Sequence, residues 1–239
     1  MRAAAEHDPD RRPDDGFLPP LPALVPRLVA IAILGVVFIA LTIAIAAGAF
    51  TSLDLQVAQG MHDAWQPSLH LLFQAIAELG SIELTTVVML GLTIYLWRSG
   101  FGSDALVFIV FIAAQAFELY YKWNLYHPQP PRSLAESDGP SISMLFAGTG
   151  AGNSFPSGHV LRAVIVYGLL AFVIRRLAVS QRVRGFAAAL AVAVITLVSI
   201  DRLYLDVHWE SDVVGGVILG AIAFVAGTVW LDRPRKADN

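Results

Sequence analysis

Asp201-Arg202-Leu203-Tyr204-Leu205-Asp206-Val207-His208-Trp209-Glu210-Ser211-Asp212 follows the apolar run Phe186–Ile200 and opens a second one, which carries the chain from Trp209 to Leu231. Each run approaches the about 20 helical residues that cross a bilayer core. The polar stretch between them is short enough to be a turn at a membrane edge. An aspartate, an arginine and a histidine are costly that close to lipid, and residues of this kind read by default as functional. The pattern therefore predicts helix, functional turn, helix.

The same reading extends along the chain. Six apolar segments are expected to span: Leu28–Phe50, Ile82–Trp97, Ala105–Tyr121, Val160–Ile174, Phe186–Ile200 and Trp209–Leu231, the second, fourth and fifth extending into their flanks. The 239 residues are 56% hydrophobic and 15% charged, less charge than a water-soluble domain of this size carries. Mean hydropathy is +0.63. There is no cysteine, so neither a disulfide framework nor a thiolate metal site is expected. Residues 1–26 are polar and proline-rich and read as a disordered cytoplasmic tail. Residues 27–232 read as one membrane domain and 233–239 as a second short tail. Within 51–81, Leu55, Val57, Met61 and Trp65 suggest an amphipathic helix lying on the outer surface. The fold class is all-α: a six-span polytopic membrane protein.

Charge orients it. Arg2, Arg11, Arg12 and Arg27 precede the first span, and Arg98 follows the second. Arg175, Arg176, Arg182 and Arg184 separate the fourth from the fifth; Arg233, Arg235 and Lys236 follow the last. The positive-inside rule puts all of these, and both termini, in the cytoplasm. The remaining basic residues, Lys122, Arg132, Arg162 and Arg202, fall at the opposite face. Outer loops ordinarily avoid positive charge, so these four are read as holding an anion.

They sit in or beside three clusters: Lys122 with His127-Pro128-Gln129-Pro130, then Phe155-Pro156-Ser157-Gly158-His159, then Asp201-Arg202 with His208 and Asp212. Their order and spacing resemble the type 2 phosphatidic acid phosphatase superfamily, membrane lipid phosphatases related to bacterial acid phosphatases and vanadium haloperoxidases. Pro156-Ser157-Gly158-His159 fits that family's second motif completely. Arg202, His208 and Asp212 fit the third in identity and spacing, with Asp201 where serine is usual. Lys122 fits the first, but Gln129 stands where the family has arginine.

His208 and Asp212 are four residues apart, on one face of a helix. A carboxylate so placed holds one imidazole nitrogen as N–H and leaves the other to attack phosphorus. The resemblance implies that His208 is the nucleophile of a phosphohistidine intermediate. His159, at a helix start, is suited to protonating the leaving oxygen. Ser157 and Gly158 offer backbone N–H groups at a helix N-terminus to phosphate, and the glycine permits close approach. Lys122 and Arg202 neutralise the transferring phosphoryl group.

Gln129 removes one cation from the set. Arg162 and Arg132 are the candidates to replace it, Arg162 because its side chain tilts toward the helix end where the phosphate binds. Otherwise an outer-loop carboxylate such as Glu83 is its expected partner. Glu118 is expected to pair with Lys122 one turn away. Gly216-x-x-x-Gly220 reads as helix packing, and Trp123, Tyr126, Tyr204 and Trp209 as interface anchors. The cations are side chains, so no metal and no cofactor is expected.

The expected function is removal of a terminal phosphate from a lipid in the cell membrane, at the outer face. Undecaprenyl diphosphate, phosphatidylglycerol phosphate and phosphatidic acid fit as substrates. The partners are that lipid and the bilayer, with no nucleic acid. Three alternatives share the residues: a lipid phosphotransferase, a non-catalytic lipid-phosphate binder and a transporter with an anion site. Intact His159, His208 and Asp212 argue against the binder, and polar residues at span ends rather than mid-membrane argue against the transporter.

Overall fold

The computed structural model describes residues 21–131 and 152–233. Among them are eight α-helices: α1 Leu21–Ala46, α2 Thr51–Ala64, α3 His70–Ala77, α4 Ile82–Arg98, α5 Val107–Asn124, α6 Gly158–Leu177, α7 Gln181–Tyr204 and α8 Glu210–Leu231. Each of the six apolar segments falls mainly on one helix, the first ending at Ala46 rather than Phe50, and the short second, fourth and fifth do extend into their flanks. Four helical segments are long and apolar enough to cross a membrane: Ala23–Ala46, Gly102–Asn124, Gln181–Tyr204 and Glu210–Leu231. Pro67–Gly80 and Ile82–Arg98, bent by 41° at their junction, make a fifth if taken as one span. The fourth expected span, on α6, is not among them. It carries Arg162, Arg175 and Arg176, and its apolar residues face protein.

The helix expected over Leu55, Val57 and Met61 is α2, with Trp65 just past its end, and a second short helix, α3, follows within 51–81. Helix α1 begins at Leu21, inside the stretch read as tail, with Pro26 in its second turn. A proline that early removes few helical hydrogen bonds. Residues 1–20 and 234–239 lie outside the described residues, as do Arg132 and most of the loop before Ser154.

Helix α6 is the hub. Val160, Leu161, Ala163, Val164, Ile165, Val166 and Leu169 are all buried, and the helix packs on α4, α5, α7 and α8. Small residues let α8 come close: a Cβ on Gly216 would lie 2.6 Å from the Ser157 carbonyl, and one on Gly220 2.8 Å from Val164. The Gly-x-x-x-Gly reading holds. Phe155 locks the preceding loop, buried against Gly215 and ringed by Phe38 and Tyr121. The outward faces are apolar, with Ile33, Val36, Ile39 and Ile43 of α1 more than half exposed, as lipid-facing helices require.

The connectivity gathers the C-termini of α5 and α7 and the N-termini of α6 and α8 at one end of the bundle. All three sequence clusters lie at those four helix ends.

Candidate active site

The junction of the second and third clusters defines the site. Ser157, N-cap of α6, donates its backbone N–H to the Asp212 carbonyl at 3.0 Å. Asp212 lies in the first turn of α8, fully buried. Its Oδ2 accepts the Trp209 backbone N–H at 2.9 Å and lies 3.3 Å from His208 Nδ1. A carboxylate at this position both caps the helix and seats the imidazole. With Nδ1 turned to Asp212, the other ring nitrogen of His208, Nε2, is left facing away from the carboxylate. Burial holds the His208 imidazole below the ordinary histidine value; the Asp212 carboxylate opposes this, and the charges of Lys122 and Arg202 add to it.

Arg202 is fully buried near the C-terminus of α7. Its Nε donates to Asp201 Oδ2 at 2.8 Å. Asp201 thus accepts from the Arg202 guanidinium one residue along. The carbonyl of Arg202 accepts the N–H groups of Val207 and His208, each at 3.3 Å, which folds the turn that presents His208. Asp206 in that turn has φ 52°. Lys122 Nζ meets Glu118 Oε1 at 2.9 Å, the expected ion pair. Ser157 has a buried hydroxyl with no hydrogen-bond partner among the described residues, a donor or acceptor available at the α6 N-terminus. His159 begins the first turn of α6, within electrostatic reach of Arg202, Arg162, His208 and Lys122.

Two expectations change. Arg162 does tilt toward the helix start, but its guanidinium is engaged inside the protein. It contacts Glu118 Oε2 and Gln115 Oε1, each at 3.2 Å, the Gly80 carbonyl at 3.0 Å and His159 Nδ1 at 3.4 Å. Its donors are taken by Glu118, Gln115 and the Gly80 carbonyl rather than turned to a phosphate, and its ion-pair carboxylate is Glu118, with Glu83 also within electrostatic reach. Gly158 is also needed for a different neighbour than phosphate alone: a Cβ there would lie 2.0 Å from Glu118 Oε1. Gln129 is part-buried at the base of the loop, its backbone N–H bonded to the Gly152 carbonyl at 3.1 Å.

Residues without an assigned role in the sequence complete the site. His127 Nε2 lies 3.4 Å from the second Asp212 oxygen and 3.4 Å from Ser211 Oγ. Asp54, from α2, accepts the Ser211 N–H and hydroxyl, both at 2.9 Å. Asn153 ties the loop ends, donating to the Lys122 carbonyl at 2.8 Å and accepting from His127 N–H at 3.1 Å. Nothing in local sequence marks Asp54. His127 was visible in its cluster, and Glu118 continues the buried α5 stripe Val107, Phe111, Ala114, Glu118.

The PAP2 superfamily pattern matches residues 105–236, more than half the chain. The chain belongs to the PAP2 superfamily. Phosphatidylglycerophosphatase B of Bacillus subtilis (strain 168) is 28% identical over 190 residues, 78% of this chain and 87% of that one. A protein of Escherichia coli (strain K12) named as an undecaprenyl-diphosphatase is 31% identical over 150 residues, 62% of this chain and 69% of that one. The crystal structure of a transmembrane PAP2 type phosphatidylglycerolphosphate phosphatase from Bacillus subtilis superimposes with a TM-score of 0.67, at 26% identity, covering 83% of this chain and 94% of that one. The Aquifex aeolicus LpxE structure, at 20% identity and a TM-score of 0.53, covers 74% of this chain and 94% of that one and shares the fold. This PAP2 chain is a lipid phosphatase.

Proposed function

We propose that this PAP2 phosphatase hydrolyses a lipid phosphate or diphosphate through a phosphohistidine on His208, at the outer face of the cell membrane. The observation that carries this reading is the shared use of Asp212, whose backbone carbonyl holds Ser157 and whose carboxylate holds His208. The α6 N-terminus, an anion site by its dipole and open N–H groups, is thereby fixed beside a neutral imidazole with one free lone pair. His208 Nε2 attacks phosphorus while Lys122 and Arg202 offset the oxygen charge. His159 donates a hydrogen bond to the leaving oxygen. Water then attacks phosphorus, the P–N electron pair returns to Nε2, and the surplus proton leaves on inorganic phosphate. Asp212 compensates the charge on the phosphorylated imidazole.

We also assign six spans, α6 among them, with both termini cytoplasmic. At 1.5 Å per residue the 20-residue α6 reaches about 30 Å, a bilayer core, and burial of Arg162 takes its charge away from lipid. Arginines cluster at the opposite end from the site, as the positive-inside rule asks of a cytoplasmic face. The chain lacks cysteine, so single cysteines at the exposed positions Tyr126 and Ser180 report the orientation. Position 126 should label with an impermeant thiol reagent from outside and position 180 should not; the reverse would put the chemistry in the cytoplasm.

The activity test is phosphate release from purified protein on a panel of lipid phosphates and diphosphates, with and without a lipid acceptor. Activity should persist in EDTA and fall with vanadate, which mimics five-coordinate phosphorus. Loss in EDTA with rescue by a divalent ion would refute the side-chain mechanism. Phosphate appearing only on the acceptor would make the chain a phosphotransferase.

A further inference from the structure

A chain of four polar residues, the middle two buried and the outer two part-buried, joins the first cluster to the second: Lys122, Glu118, Arg162, His159. Glu118 divides its oxygens, Oε1 to Lys122 at 2.9 Å and Oε2 to Arg162 at 3.2 Å. Two glycines make the room. Gly158 admits the Glu118 carboxylate, and a Cβ on Gly80 would lie 2.9 Å from the His159 Cβ and carbonyl. Gly80 also supplies the carbonyl that accepts Arg162 Nε. The guanidinium is thus held on several sides, and its Nη2 faces His159 Nδ1 at 3.4 Å.

A guanidinium has five donors, no acceptor, and does not lose its charge in proteins. The His159 nitrogen facing it must therefore present its lone pair. The histidine proton then sits on Nε2, and the doubly protonated imidazolium would set N–H against N–H beside a fixed positive charge. A neutral imidazole N–H donates a hydrogen bond well but is a poor source of a whole proton. The leaving group decides whether that suffices. A lipid phosphomonoester releases an alkoxide, which needs the proton. A lipid diphosphate releases a lipid phosphate, whose second pKa is about 6, and this departs as an anion with only hydrogen-bond support.

We propose that Arg162, seated by Glu118, is a specificity-determining residue that holds His159 as a neutral Nε2–H donor and so selects lipid diphosphates over lipid monophosphates. This rests on the reading of His159 as the group facing the leaving oxygen. In the favoured reaction the P–O bond to the inner phosphate breaks, its electron pair leaves with the lipid phosphate, and the P–N bond to His208 forms. No proton need cross in that step.

The test compares kcat/KM for a prenyl diphosphate and a prenyl monophosphate of the same tail. The natural protein should favour the diphosphate by about a hundred-fold, the scale of a missing general acid. Replacing the ion pair together, Arg162→Met with Glu118→Gln, avoids an unpaired charge at the buried Arg162 position and should narrow that preference about ten-fold or more; Glu118→Gln alone, which frees Lys122 of its carboxylate but keeps Arg162 on His159, should leave the ratio unchanged. Equal turnover of both lipids by the natural protein, or an unchanged ratio in the paired variant, overturns the proposal. A second measurement needs no variant: nitrogen NMR of labelled His159 should give one tautomer, Nδ1 unprotonated, across about pH 5 to 8. A protonated Nδ1 in that range overturns the proposal even if the paired variant fails to fold. If the natural protein hydrolyses neither lipid, the phosphatase reading fails, while the tautomer still decides what Arg162 does.

Discussion

The two ends of this bundle use the same side chains for opposite purposes. At the arginine-rich end, Asp104 is buried between Arg233 at 3.2 Å and Arg176 at 3.8 Å. Asp232 takes Arg27 and, at 3.9 Å, Arg176. Arg27 also donates to the Thr228 carbonyl, and Trp230 to the Ser103 carbonyl. These contacts tie α1, α6, α8 and the turn before α5 to one another, cation to carboxylate. At the other end, carboxylates do not simply cancel cations. Asp212 orients His208, Glu118 is shared by Lys122 and Arg162, and the Ser157 hydroxyl has no partner among the described residues. One end is a clamp in which Asp104 and Asp232 each sit between two arginines. The other gathers two histidines, a lysine and an arginine at the α6 N-terminus, where the proposed mechanism places the phosphate.

That contrast breaks most sharply if the site end proves to be structural. His208→Ala should abolish turnover, and Asp212→Asn should cost on the order of 10³–10⁴ in kcat, because an amide can favour the wrong tautomer. Both variants should keep a thermal midpoint near that of the natural protein in detergent. Asp104→Asn should do the reverse. It leaves Arg233 and Arg176 without their buried partner, a change of about 3–5 kcal/mol in stability, with kcat nearly intact in the protein that remains folded. Large kcat loss without a fall in thermal midpoint would refute the clamp reading.

A smaller effect sharpens the electrostatics. His208 attacks only when neutral, and its pKa is held below the usual value near 6.5. Activity should therefore persist through mildly acidic pH and be lost only as pH falls through that lowered pKa. Asp212 opposes the shift, so in Asp212→Asn the acid limb of the residual activity should move to still lower pH. A limb above pH about 6.5 in the natural protein would contradict the placement of the imidazole. The sign for stability is the same: the unfolded chain takes up this proton more readily, so acid weakens the fold as pH drops below the unfolded value. The smallest effect belongs to Asp232→Asn. Its carboxylate is about a third exposed, and a pair so open to solvent contributes at most about 1 kcal/mol.

Much of this was legible in the sequence, for identifiable reasons. The helices follow from long apolar runs. His208, Asp212, Lys122, Arg202 and the Ser157-Gly158-His159 turn sit at helix ends, where spacing along the chain fixes spacing in space. The Glu118–Lys122 pair and the Gly216–Gly220 packing face are likewise local. What local spacing cannot convey is which distant groups reach a side chain first. Arg162 tilts as its helix dictates, yet Glu118, Gln115 and the Gly80 carbonyl, all from other elements, capture it. Asp54 reaches Ser211 from a helix 157 residues earlier. Gly158, read from the sequence as room for phosphate, is also where the Glu118 carboxylate packs. The early prolines argued for tail up to residue 26, but one proline in a second turn did not prevent α1 from starting at Leu21.

The most direct test of the account is to trap the intermediate. Purified protein is given a radiolabelled lipid diphosphate, quenched within a turnover and digested. A phosphohistidine is stable to alkali and labile to acid, and the label should map to His208, vanish in His208→Ala and persist longer when hydrolysis is slowed. Label on any other residue, or full turnover by His208→Ala, would contradict it.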